Sequence, residues 1–246
     1  MQALSPEMIL NVWELGSGFH PIDQALLVLS FACPEHTREA LVNFSLGQRD
    51  VLLVEVHRRT FGDRLNAYTE CPKCQERLEF FLSCKLLSGE IPAQIPAHEE
   101  LTKTVTIQGS DFTLRCPNSR DAAAAASSEN PEAARKILLA LCAAPVAGSM
   151  QDIDALPEST RAAIAGELAA VDPRAEILLD LICPACGHAW QTVFEITRFL
   201  WAEIRALGRR LLQEVDVLAR VYGWNEADIL AMSETRRGLY VQMAMA

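Results

Sequence analysis

The chain has 246 residues, half of them hydrophobic, with 22 basic against 32 acidic side chains and a net charge of −10. That length can bury one large core or two smaller ones, while the acidic balance argues against a nucleic-acid surface, which needs a cationic footprint, and favours a protein partner. No apolar run is long enough to cross a bilayer, and Met1 to Asn11 lacks the basic, apolar and small-residue tracts of a leader, so a cytoplasmic location is expected.

In chain order, Pro21 to Ala32 (PIDQALLVLSFA) predicts a buried helix and Pro34 to Phe44 a shorter one. Ser45-Leu46-Gly47-Gln48 has the form of a capping box, which starts a third helix with Leu52, Leu53 and Val56 on one side and Gly62 as its stop. Arg64 to Glu70 then leads into Cys71-Pro72-Lys73-Cys74, and Arg77 to Cys84 leaves it as a strand. Ser88 to Glu100 reads as a surface connection, and Thr102 to Leu114 alternates with period two around Gly109, the pattern of a β-hairpin. Helices are expected from Asp121, from Pro131 and from about Pro157 to Ala170. Ala175 to Ile182 then delivers Cys183-Pro184-Ala185-Cys186-Gly187, and Trp190 to Ile196 returns from it.

From Thr197 the pattern becomes one long amphipathic helix ending near Tyr222-Gly223, with an apolar stripe that includes Phe199, Leu200, Ile204, Leu207 and Leu211. Its length exceeds what a small domain needs internally, so either this helix or the tail after it, a helical hairpin or a docking arm, is expected to meet a partner protein. Asn225 and Ser233 cap two short closing helices. The expected fold class is α+β, in three parts: a helical segment over 1–66, a zinc-ribbon-like β module over 67–196 with a helical insertion at about 120–172, and the long helix and tail over 197–246.

The two Cys-x-x-Cys turns carry the chemistry. Each presents two thiolates from a tight loop, and four cysteine ligands close a tetrahedral structural zinc site that keeps no catalytic position open. Cys71, Cys74, Cys183 and Cys186 are therefore the expected ligands, and Zn2+ the expected cofactor, clasping stretches of chain 108 residues apart. A redox dithiol is the alternative, since cytosolic cysteine pairs are seldom structural disulfides; against it, both pairs lie between strands rather than at a helix N-terminus, where the dipole would lower a thiol pKa. Cys84 and Cys116 are either spare ligands or, like Cys33 and Cys142, small buried hydrophobes. His188 could compete for the metal but fits the hairpin surface, and His57 has no partner at a fixed spacing. No phosphate loop, nucleophile elbow or His-Glu-x-x-His helix is present, so no catalytic residue is assigned. A helix-turn-helix around Tyr222-Gly223-Trp224, with Arg236 and Arg237 as phosphate contacts, is a minor alternative that would go with a zinc-ribbon adaptor for nucleic acid or the transcription machinery.

An ordered series of short motifs resembles one family. Leu46-Gly47-Gln48-Arg49-Asp50-Val51-Leu52-Leu53, Arg59-Thr60-Phe61-Gly62-Asp63-Arg64-Leu65 and the first knuckle are followed by Arg115-Cys116-Pro117-Asn118-Ser119-Arg120-Asp121, the second knuckle through Trp190, Phe199 to Ile204 and Tyr222 to Leu230. Together they resemble the baseplate proteins and baseplate hub assembly chaperones of T-even-like contractile phages and related contractile injection systems. The resemblance implies a non-enzymatic assembly factor or minor structural component whose partners are other baseplate or hub proteins, with no membrane, small-molecule or nucleic-acid ligand. Two positions depart from the pattern: Gln75 stands where a knuckle commonly has glycine, which predicts a strained turn, and Cys116 stands where an apolar residue is expected.

Overall fold

Side-chain caps set the start of nearly every helix in the N-terminal third. The computed structural model describes residues 1–88, 102–146 and 155–246; most of the expected connection from Ser88 to Glu100 lies outside them. Ser5 accepts from the Met8 amide and Pro6 occupies the first turn of α1 (Pro6–Gly16), a helix additional to those expected. His20 caps α2 (Pro21–Ala32), and Thr37 caps α3 (Arg38–Asn43), which is shorter than the expected span from Pro34. Ser45 and Gln48 form the reciprocal capping box of α4 (Leu46–Phe61), which ends at Gly62 with a φ of 99°. Only glycine adopts that backbone without strain.

Two separate antiparallel hairpins carry the knuckles. Strand β1 (Arg64–Glu70) pairs with β2 (Arg77–Ser83), which runs into the short helix α5 (Cys84–Ser88). Much later β6 (Ile177–Ile182) pairs with β7 (Ala189–Phe194). Between them lies a unit with its own small core. It contains β3 (Thr102–Ile107), β4 (Ser110–Arg115), α6 (Ser119–Ala126), α7 (Pro131–Cys142), the short strand β5 (Ala143–Pro145) and α8 (Glu158–Val171). Its sheet has the order β3-β4-β5, and Ile107, Phe112, Leu114, Leu139 and Ile164 fill the core. The β3–β4 turn falls on Gln108-Gly109, both with positive φ. That combination twists a two-residue loop in the sense the strands require.

Helix α9 (Ile196–Tyr222), 27 residues and so about 40 Å long, runs through the main core. Its buried residues Ile196, Leu200, Ile204 and Leu211 join Ile9 and Val12 of α1, Leu29 of α2 and Leu52 and Leu53 of α4 in one cluster. The segments 1–66 and 197–246, separate in sequence, thus share one interior. The apolar stripe expected to offer a docking arm is instead covered inside the chain, because three N-terminal helices, α1, α2 and α4, pack on it. Two reciprocal sockets lock α1 against α9. A Cβ built on Gly16 would lie 2.6 Å from the Trp201 ring, and one built on Gly208 would lie 2.7 Å from Trp13. Each helix lends a tryptophan to a glycine of the other, which places them antiparallel.

The chain closes with α10 (Glu226–Leu230) and α11 (Glu234–Met245), capped by Asn225 and Ser233 as expected. Arg237, read from sequence as a phosphate contact, is 2% exposed and donates to Glu214 at 2.5 Å and to the Met232 carbonyl at 3.1 Å. A buried cation held this way is unavailable to nucleic acid. Tyr222 stacks on Trp224, and Tyr240 meets both rings edge-on.

Gly208→Ala and Gly16→Ala should each lower stability by about 1–3 kcal/mol, because the added methyl overpacks a filled socket. Denaturant unfolding of the two variants checks this, and Gly166→Ala, where nothing lies within 4 Å, should cost nothing comparable.

Candidate metal centre

The two knuckles have the same backbone design. In the first, the Cys71 amide donates to the Glu76 carbonyl at 2.9 Å and the Gln75 amide to the Cys71 carbonyl at 2.8 Å; in the second, Cys183 donates to His188 and Gly187 to Cys183, both at 2.9 Å. Gln75 and Gly187 therefore hold equivalent places, with φ of 61° and 69°. Glycine accepts that left-handed conformation freely, whereas glutamine pays a steric penalty of about 1–2 kcal/mol against its Cβ. The expected strain at the first knuckle is present.

All four sequence-derived ligands converge. The sulfurs of Cys71, Cys74, Cys183 and Cys186 lie within 4.8 Å of one another. Across the two knuckles, Cys71 Sγ approaches Cys186 Sγ at 3.7 Å, and Cys74 Sγ approaches Cys183 Sγ at 3.6 Å. Tetrahedral zinc with Zn–S bonds of about 2.3 Å separates its sulfurs by about 3.8 Å, which the two distances across the knuckles match. Cys71 and Cys183 are buried, Cys186 is half-buried and Cys74 is exposed, which leaves a solvent path to one corner. These four residues could hold a metal ion.

Electrostatics favours a cation here. Burial opposes ionising Cys71, but the amides of Cys74 and Lys73 and the thiols of Cys74 and Cys186 outweigh it and hold the group down to about 7. At Cys74 the Glu76 amide favours the thiolate, yet the Cys186, Cys183 and Cys71 sulfurs and burial push it up to about 12. One thiol ionises readily and its neighbour hardly at all, because several negative sulfurs cannot share so small a volume unless a positive charge sits among them.

The remaining cysteines are apart from this centre. Cys33, Cys116 and Cys142 are buried, and burial pushes their thiols up to about 11, 11 and 12. His188 stacks against Trp190 on the hairpin and is not among the ligands.

Cys84 belongs to a different cluster that spacing could not reveal. His57 of α4 is fully buried; its Nε2 lies 2.5 Å from Glu203 Oε2 on α9, and its Nδ1 lies 3.3 Å from Cys84 Sγ. Burial, then the nearby Asp63, pushes the Cys84 thiol up to about 12, so it stays protonated and donates. A histidine with its proton on Nε2 satisfies both partners. Thiol, imidazole and carboxylate stand in the order of a nucleophilic triad, but a fully buried thiol that keeps its proton is no nucleophile. The cluster ties α4, α5 and α9 together. The only sequence signal for it was a histidine amid the apolar run of α4, since Glu203 lies 146 positions away.

Comparison with protein-family models, with curated proteins and with solved structures returned no match to this chain.

Replacing Gln75 by glycine should raise stability by about 0.5–1 kcal/mol, whereas Gly187→Gln should lower it by a similar amount, as read by thermal unfolding of the metal-loaded chain. The affinity of the four sulfurs for added zinc should fall as pH drops below 7, by about tenfold or more per unit, because protons then compete even for Cys71. Competition with a chromophoric chelator across pH 5–8 measures this.

Proposed function

We propose that this chain is a non-enzymatic assembly factor or minor structural component of a contractile-tail or injection-system baseplate, acting through protein–protein contacts and stabilised by a structural zinc ion. The observation that carries the structural part is the set of four cysteine sulfurs within 4.8 Å of one another, with no fifth ligand group among the described residues of the cluster. A catalytic zinc site keeps three protein ligands and one open position, and this arrangement supplies four. Both pairs sit between strands rather than at a helix N-terminus, which weighs for a metal ligand set over a dithiol oxidoreductase.

The tail assignment draws on the resemblance of the ordered motifs to the baseplate family, and several of these motifs have evident structural work in this chain. Gly47 of the Leu46–Leu53 motif has no room for a side chain, since a Cβ there would lie 2.0 Å from Asp172 Oδ1, and its amide donates to that carboxylate at 2.8 Å. Asp121 of the Arg115–Asp121 motif receives both guanidinium nitrogens of Arg115 at 2.6 and 2.8 Å. Burial would raise its pKa, but this fork and the Asn118 amide outweigh it and hold the carboxyl below the usual range. No helix among the described residues is long and apolar enough to cross a membrane.

Two measurements test the proposal. Elemental analysis of chain purified under reducing conditions should give one zinc per chain, lost with a lower unfolding temperature in Cys183→Ser/Cys186→Ser; iron in place of zinc, or no metal, would overturn the zinc part. Co-expression with the hub and baseplate proteins of a contractile tail should yield a stoichiometric complex, and a chain that co-purifies with none of them while particles assemble normally without it would overturn the assembly part.

A further inference from the structure

The two knuckle hairpins touch at their tips and leave a cleft of about 520 Å3 between their stems, inside the range of roughly 300–1,000 Å3 found for ligand pockets. Its walls are unusual in one respect. Strand β1 contributes Asn66 to Thr69 and β7 contributes Thr192 to Phe194, consecutive residues in both cases. A strand that presents one face contributes every second residue, because side chains alternate. A consecutive run means that the edge of the strand borders the space. Strand β1 pairs only with β2 and β7 only with β6, and among the described residues no main-chain hydrogen bond joins β1 to β7. Two unpaired strand edges therefore border one apolar cleft.

The floor is α9, where Ala202 and Ala206 let another backbone come close. On the same exposed side of that helix stand Arg205 and Arg209, one turn apart. Arg198, Arg210 and Arg220 of α9 are ion-paired, but among the described residues Arg205 and Arg209 have no acidic partner. The two carboxylates that line the cleft are already engaged, Glu195 by Arg198 and Glu203 by His57. On a chain of net charge −10, the cleft thus has two unpaired cations beside its floor and no unengaged carboxylate in its lining.

We propose that the cleft binds an extended segment of a partner protein, apolar at alternate positions and acidic where it passes Arg205 and Arg209, which adds a strand to the free edge of β1 or β7. Main-chain hydrogen bonds to an edge give such a segment affinity independent of its sequence, and the apolar walls and the two arginines select among sequences. This inference rests on the reading of the chain as a protein-contact module and names the chemistry of its partner.

The test begins with selection from a random twelve-residue peptide library on the full, metal-loaded chain. The expected peptides alternate apolar residues with Asp or Glu, slow hydrogen exchange at the amides of β1 or β7, and bind at least tenfold more weakly to Arg205→Glu/Arg209→Glu, whose altered residues are exposed and leave the unfolding temperature unchanged. Ala202→Trp, which fills the cleft, should abolish binding. Peptides without acidic residues, binding indifferent to charge reversal, protection confined to other elements, a dimer of this chain that Ala202→Trp dissolves, or no enrichment at all would each overturn the proposal. If selected peptides bind as expected while no baseplate component associates with the chain, the assembly reading falls and the cleft stands; a baseplate complex unaffected by both variants has the converse meaning.

Discussion

Helices α4 and α9 carry one hairpin each, and their packing decides whether the four sulfurs can meet. Strand β1 leaves α4 directly after Gly62, and β7 enters α9 at Ile196. The hairpins are thus levers whose bases are set by the contact between the two helices. At that contact sits the buried His57, bonded to Glu203 across the interface and to Cys84 where the first hairpin returns to its base. Removing one member would leave a buried polar group unpaired, at a cost of about 1–3 kcal/mol, so the contact has little freedom to slide. The distances of 3.6 and 3.7 Å between knuckles follow from this fixed base as much as from the knuckles themselves. A metal ion bound there would close a ring already nearly closed by the helices.

The N-terminus of α4 plays a second part. Its amides are satisfied by two residues of the inserted unit or its exit: Leu46 donates to the carbonyl of Pro117, between β4 and α6, and Gly47 to the carboxylate of Asp172, just after α8. A carboxylate at a helix N-terminus gains from the unpaired amides and from the helix dipole. The inserted unit, with its own core, is therefore pinned at the β4–α6 junction and where it returns, and Arg120 reaches from α6 to Glu39 of α3 as a third tie. The unit and the metal centre are both hung from α4, at opposite ends of the helix.

Much of this was legible from local rules. The capping box at Ser45, the stops at Gly62 and Gly223, the proline starts of α2 and α7 and the period-two strands around each knuckle all state their structure within a few residues. The four ligands were legible for the same reason, since a Cys-x-x-Cys turn is a local object and only the pairing of the two turns is long-range. What escaped was set by contacts distant in sequence. Helix α1 lies near the start of the chain with no strong signal of its own, and its role comes from Trp13 and Gly16 meeting partners some 190 positions away. The stripe on α9 was seen correctly as apolar, but an apolar stripe does not say whether its cover is another protein or the chain's own first helices. Arg237 is a similar case: a charged residue in a short amphipathic helix reads as exposed until Glu214 is found beside it.

The separation of the knuckles along the chain has a consequence for biosynthesis. Cys71 and Cys74 are followed by 108 further residues before Cys183 is made, and at roughly 5–20 residues per second the delay is on the order of 5–20 s. Throughout that interval the nascent chain carries a two-thiolate half-site, which holds metal weakly, and an α4 whose cover, α9, is not yet made. The first knuckle is then also the one with the strained Gln75 turn. The order of synthesis thus presents the weaker half first and withholds the stiffer, glycine-relieved half until α9 is about to follow. The native pairing of thiols is in this way coupled to completion of the helical core, and a chain truncated before Cys183 would be left with two unpaired thiols in a loop that nothing yet holds.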